Sequence, residues 1–195
     1  AVALAKNMIE LPRHPKNNTL AKPGSPIDYG KRGSASYGRT RLIETLLRYE
    51  MWEEIIQLSQ TVYLEETTIP EEQAKRLAAI GAAHYSLGQA DKGAEILAKL
   101  DDITARLKVL KLEAGTKAEE MAREEKKNDN DVNKAMVDAM NKFNGRFKTV
   151  NQYMAELLAY QAIADEDKDA FKKQIGKAGR IARERKAQHH LKIGD

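Results

Sequence analysis

The chain has 195 residues, of which 42% are hydrophobic and 32% charged, a net charge of +4 and no cysteine. That is enough apolar material for one large or two small cores, and the lack of cysteine excludes disulfides, thiol catalysis and thiolate metal sites within these residues. No apolar run approaches the ~20 residues that a transmembrane helix needs.

Ala, Glu, Lys, Leu and Arg are abundant, and straight-chain side chains lose little rotamer freedom in a helix. Aromatic residues make up only 6% of the chain, so its cores must be built from Leu, Ile, Ala and Met. These features predict an all-α fold. Ala1 stands in the place of an initiator Met, which fits a processed product or a piece of a longer chain.

Residues 1–10 read as a short helix. The stretch up to residue 36 holds four of the five prolines together with several Gly, Asn and Ser. Proline fixes φ and removes a donor, so 1–36 is expected to be an irregular N-terminal arm. A helical domain is expected over 37–102. Leu42, Ile43, Leu46 and Leu47 mark one helix face, a second helix is expected over Trp52–Val62, a third from Pro70 to Leu87 and a fourth from Ala90 to Leu100. Pro70 followed by Glu71 and Glu72 suits a helix start, and Gly88 suits a helix end.

Over 103–164 a long antiparallel helical hairpin is expected. Ile103, Leu107, Leu110, Ala114, Lys117 and Met121 step at heptad spacing, as in a coiled coil. Asn128–Asp131 form a turn. A single long helix with the stripe Val132, Met136, Ala139, Phe143, Phe147, Val150, Met154 and Leu157 then returns. Residues 165–195 complete the chain as a basic C-terminal helix.

The segment 77–100, LAAIGAAHYSLGQADKGAEILAKL, resembles a tetratricopeptide repeat. Leu77 and Ile80 take its large positions, Gly81, Ala83 and Gly93 its small ones, and Leu97 and Leu100 its second-helix core. The terminal proline of the motif is missing. A weaker copy aligns on residues 41–62, where Leu42, Trp52, Ile55 and Ile56 match core positions and Ile43 replaces the packing glycine. The resemblance implies stacked helical hairpins whose concave face takes a protein or peptide partner. That face would draw on Lys75, Ala78, Ala82, Tyr85 and Ser86.

The wider layout also resembles helical segments of bacterial secreted proteins that carry a thioredoxin-like (redoxin) domain further along the chain. The motifs that carry this likeness are RHPKNNTL at 13–20, SASYGR at 34–39 and the stretch from Trp52 to Glu65. It implies an accessory segment in a secreted or periplasmic setting, with any redox chemistry outside these residues.

Chemistry has little footing in the sequence. His14, His84, His189 and His190 lack the spacing of a zinc site, and adjacent carboxylates such as Glu71/Glu72 fit solvated helices. Residues 24–34 lack the strand–loop–helix context of a phosphate loop. No catalytic residue, cofactor or metal is expected. At the C-terminus, residues 172–192 carry eight Lys and Arg against one Glu. Lys173, Lys177, Arg180 and Lys186 are expected along one side as an anion-binding stripe, but nucleic-acid recognition lacks the interleaved aromatics needed for stacking. The reading that fits best is a non-catalytic scaffold or protein–protein interaction module. The alternatives are a spacer or oligomerisation element built on the 103–160 surface, and nucleic-acid binding through the basic end.

Overall fold

A computed structural model describes residues 1–11, 34–182 and 185–194, and every regular element among them is helical. The chain is an all-α protein. Most of the expected arm, with His14 and residues 24–33, lies outside the described residues, but its first part is α1 (Val2–Glu10), which packs on α2 (Ser34–Arg48).

α3 (Trp52–Leu58) stops short of the expected Val62. Ser59 Oγ and Thr61 Oγ1 donate to the Ile56 and Leu58 carbonyls at 2.7 Å each, so side chains take up acceptors at the helix end. A 3₁₀ turn, Val62–Leu64, follows. The buried Arg76 guanidinium closes this corner by donating to the carbonyls of Leu64 at 2.6 Å and Ser59 at 3.1 Å.

α4 (Pro70–Ser86) begins with proline in its first turn and Glu71 and Glu72 at the positive end of the helix dipole. Gly88, at φ 71°, ends it. Gln89 N–H reaches the His84 carbonyl at 2.8 Å and Gly88 N–H the Tyr85 carbonyl at 3.1 Å, the paired bonds of a Schellman cap.

α5 (Ala90–Glu124) is one helix of 35 residues, so the ending expected near Leu100 does not occur. Asp101 and Asp102 look like a helix start, but neither Gly nor Pro precedes them to stop the helix, and both lie exposed on its outer side. Leu100, Leu107, Gly115 and Ala122 are its buried row. These steps follow the drift of a straight 3.6-residue helix rather than a heptad. Of the expected seam, Leu107 is buried while Leu110, Lys117 and Met121 are exposed.

The expected return helix is two helices, α6 (Asp129–Asn141) and α7 (Asn144–Ala164). Asn128 caps α6 by accepting from Asp131 N–H at 3.0 Å. The ladder breaks where Phe143 N–H turns to the Met140 carbonyl, one residue closer than α-helical spacing. α6 runs back along the second half of α5, where Gly115 lies against the Met136 and Met140 side chains. α7 then packs against α4 and the first half of α5 around Leu100, Leu107, Val150 and Leu157.

The expected single C-terminal helix is also divided. α8 (Lys168–Ala178), capped by Asp167, ends at Gly179 with φ 58°, and α9 (Lys186–Ile193) follows. α8 packs on α7 through Phe171, Ile175 and Ala178 to form a second, smaller core.

Candidate functional site

The outward face of α4 is the floor of a cleft. Lys75, Ala78 and Ala82 line it from below, α2 contributes Arg41, Glu44 and Arg48, and α7 contributes Tyr153, Glu156 and Tyr160. The segment after α8 closes the far side with Arg180, Ile181 and Arg185. The cleft volume is about 460 Å³. The alanines keep the floor low, and the turn at Gly179 swings the chain back over the helices.

The C-terminal segment is held by polar and stacking contacts. Gln188 Nε2 donates to the Arg48 carbonyl at 3.2 Å, and Lys192 Nζ lies 2.9 Å from Glu50 Oε1 and over the Trp52 ring. Glu156 is 4% exposed and accepts from Arg185 Nε at 2.9 Å and from Arg185 Nη2. Arg185 Nη2 also donates to the Ile181 carbonyl at 3.1 Å. Burial pushes the Glu156 carboxyl up, and Arg185 and Lys75 pull it part of the way back. Burial works against the Arg185 charge, which Glu156 more than restores. Both tyrosine hydroxyls are held well above their ordinary range, first by burial and then by the Glu156 charge.

The Lys75 side chain is only 15% exposed, and its Nζ is 4.0 Å from Glu44 Oε1, beyond hydrogen-bond reach. Glu44 is more closely engaged by Arg41 Nη1 at 2.9 Å. Burial holds the Lys75 ammonium below its ordinary range; Glu44 and Glu72 oppose this, and Arg185 and Arg41 add to it.

Of the five residues expected to form a partner groove, Lys75, Ala78 and Ala82 therefore share one wall of this cleft. Tyr85 is buried in the α4–α5 contact, where a Cβ on Gly93 would come within 2.6 Å of its ring. Ser86 is exposed at the end of α4, away from the cleft lining. Of the four basic residues expected as a stripe, Lys173 and Lys177 are exposed on α8 and Arg180 lines the cleft, while the Lys186 side chain lies outside the described residues.

The sequence reading missed Tyr153, Glu156, Tyr160, Arg185 and His189. One signal was available, since Glu156 sits one position before Leu157 in the apolar stripe, where a carboxylate must find a buried partner. His84 Nδ1 lies 2.8 Å from Gln89 Oε1 at the helix cap. His189 is 2% exposed, packs edge-on to Tyr160 at 4.6 Å and has no hydrogen-bond partner on either ring nitrogen among the described residues.

A second surface lies on the outer side of α5. Val109, Leu112 and Thr116 form a row there, bordered by Glu113, Lys117 and Glu120, and Leu112 is 61% exposed. Leu110 and Met121 are also exposed large apolar side chains on this helix. Among the described residues, no helix is long and apolar enough to cross a membrane. No family model, no curated protein and no solved structure matches the chain.

Proposed function

We propose that the chain is a non-catalytic helical scaffold that docks a protein partner, or a neighbouring domain of its own protein, through the outer face of α5. The observation that carries this reading is the row Val109, Leu112 and Thr116, apolar in its centre and charged at its edges. Solvent-facing helix sides are ordinarily polar, and an apolar row with a polar rim is the pattern of an interaction surface. The repeat-like hairpin α4–α5 supplies a rigid base, and α6 braces the back of the row. The likeness of the layout to segments preceding a thioredoxin-like domain supports an accessory role beside such a domain.

The test places a photo-crosslinking amino acid at Leu112 in the chain as it is expressed in its native host, with a control at Lys173. A discrete adduct from position 112 alone is expected, and Val109→Glu should abolish it without changing the circular dichroism spectrum. A chain that is monomeric by light scattering and yields no adduct at position 112 would remove the proposal.

The same row gives a second reading, pairing of two copies along α5. A concentration-dependent dimer in light scattering that Leu112→Glu dissolves would establish it. Nucleic-acid binding loses ground, because the basic residues expected to act together are divided between α8 and the cleft.

A further inference from the structure

The cleft on α4 shares no lining residue with the α5 row, and its chemistry is different. Among the described residues, its lining carries Arg41, Arg48, Lys75, Arg180 and Arg185 against Glu44 and Glu156. Both carboxylates are already engaged: Glu156 is held by Arg185 from within the wall, and Glu44 is bound by Arg41 at 2.9 Å. Lys75 and Arg180 are described lining cations that these two carboxylates do not engage at hydrogen-bond distance.

Lys75 is the most informative member. Its side chain is only slightly exposed, and among the described residues its Nζ comes no closer than 4.0 Å to a carboxylate oxygen. The stem of Lys75 is covered while the residue lines the cleft, so an anion entering there meets an ammonium that no described carboxylate engages at hydrogen-bond distance.

The remaining walls suit a small organic body. Tyr153 and Tyr160 present ring surfaces, Ala78 leaves room, and a volume of about 460 Å³ falls within the range of small-molecule sites. Gln188 and Lys192 hold the C-terminal segment beside the cleft, through the Arg48 carbonyl and Glu50.

We propose that the cleft bounded by α2, α4, α7 and the residues Arg180, Ile181 and Arg185 binds a small organic anion, whose carboxylate or phosphate group is received by Lys75 and Arg180 with Arg41 at the edge. Charge-assisted contacts of this kind orient the ligand, and the tyrosine rings hold its carbon skeleton. The anion would give the Lys75 ammonium a close, charged acceptor.

Calorimetric titration of the full chain with succinate, inorganic phosphate and the neutral succinamide tests this, with amide NMR shifts to locate the site. Succinate or phosphate is expected to bind and to shift resonances of Ala78, Ala82 and Tyr153, while succinamide does not bind. Response to succinate alone assigns the anion as a carboxylate, and response to phosphate alone assigns it as a phosphate; either supports the site. Arg180→Gln and Lys75→Met should each weaken binding about tenfold, the loss of one charged hydrogen bond. Lys173→Gln, on α8, should leave it unchanged. Arg180 is exposed, so its substitution keeps the test valid even if Lys75→Met disturbs folding. Equal binding of succinamide and succinate, shifts that map away from α4, no response to either anion, or undiminished affinity in Arg180→Gln would each overturn the proposal.

Discussion

Glu156 and Arg185 show how one buried pair ties the end of the chain to the helices. The two side chains are 29 positions apart and nearly dry, and Arg185 grips one carboxylate oxygen with two nitrogens. Removing one partner leaves the other charge buried without compensation, which costs roughly 3–5 kcal/mol. Arg185→Met alone is therefore expected to lower the urea midpoint sharply. The double change Glu156→Leu with Arg185→Met should recover most of the loss, because a well-packed apolar pair of similar volume is often as stable as a buried ion pair. A double variant no more stable than the single one would show that the pair is not energetically coupled. Lys75 completes the local picture, since it faces the same carboxylate and draws it back toward its charged form.

At the scale of helices, glycines separate contact points from mere weak points. A Cβ on Gly93 would lie 2.6 Å from the Tyr85 ring, so Gly93→Ala must push α5 away from α4. Overpacking of this kind costs about 1–3 kcal/mol, more than the helix propensity that alanine returns. Gly176, in α8, has nothing within 4 Å of the same atom, so Gly176→Ala should stabilise by somewhat under ~1 kcal/mol. Paired urea melts of these variants, moving in opposite directions, check the argument. Gly93 was legible in the sequence because a small residue at repeat spacing has one strong use, letting helices touch. The start of α4 was legible for a similar reason, as Pro70 acts locally, whereas the turn expected over Asn128–Asp131 is an N-cap at Asn128 followed at once by helix. The continuity of α5 was not legible, because Asp101 and Asp102 resemble a cap only when the helix running into them is ignored. The break at Lys142–Phe143 is flanked by Asn141 and the Asn144–Gly145 pair, a turn signal that the apolar stripe running through Phe143 and Phe147 outweighed. The cleft was half legible: Lys75, Ala78 and Ala82 follow from the pattern of α4, whereas Arg185 and His189 come from a tail whose position depends on the turn at Gly179.

For the whole molecule, His189 couples acidity to the seating of the C-terminal segment. Its ring is enclosed by Tyr160 and Phe171, and burial holds its pKa down to about 4, with Arg185, Lys192 and His190 adding repulsion. The unfolded chain takes up the proton near pH 6.5, well before the folded chain does. Stability from this ring is complete above about pH 6.5 and is lost as pH falls toward 4, by on the order of 3 kcal/mol. Thermal melts between pH 7 and pH 4 should show this decline, and His189→Leu should flatten it. An unchanged slope in that variant would assign the acid sensitivity to the carboxylates instead.

The uninterrupted run of α5 has a consequence for geometry. At 1.5 Å per residue its 35 residues measure about 52 Å, and no joint separates the part gripped by Tyr85 from the part that carries Leu112. Whatever seats on the far portion is held at a set bearing to α4, as the hand of a clock is held to its spindle.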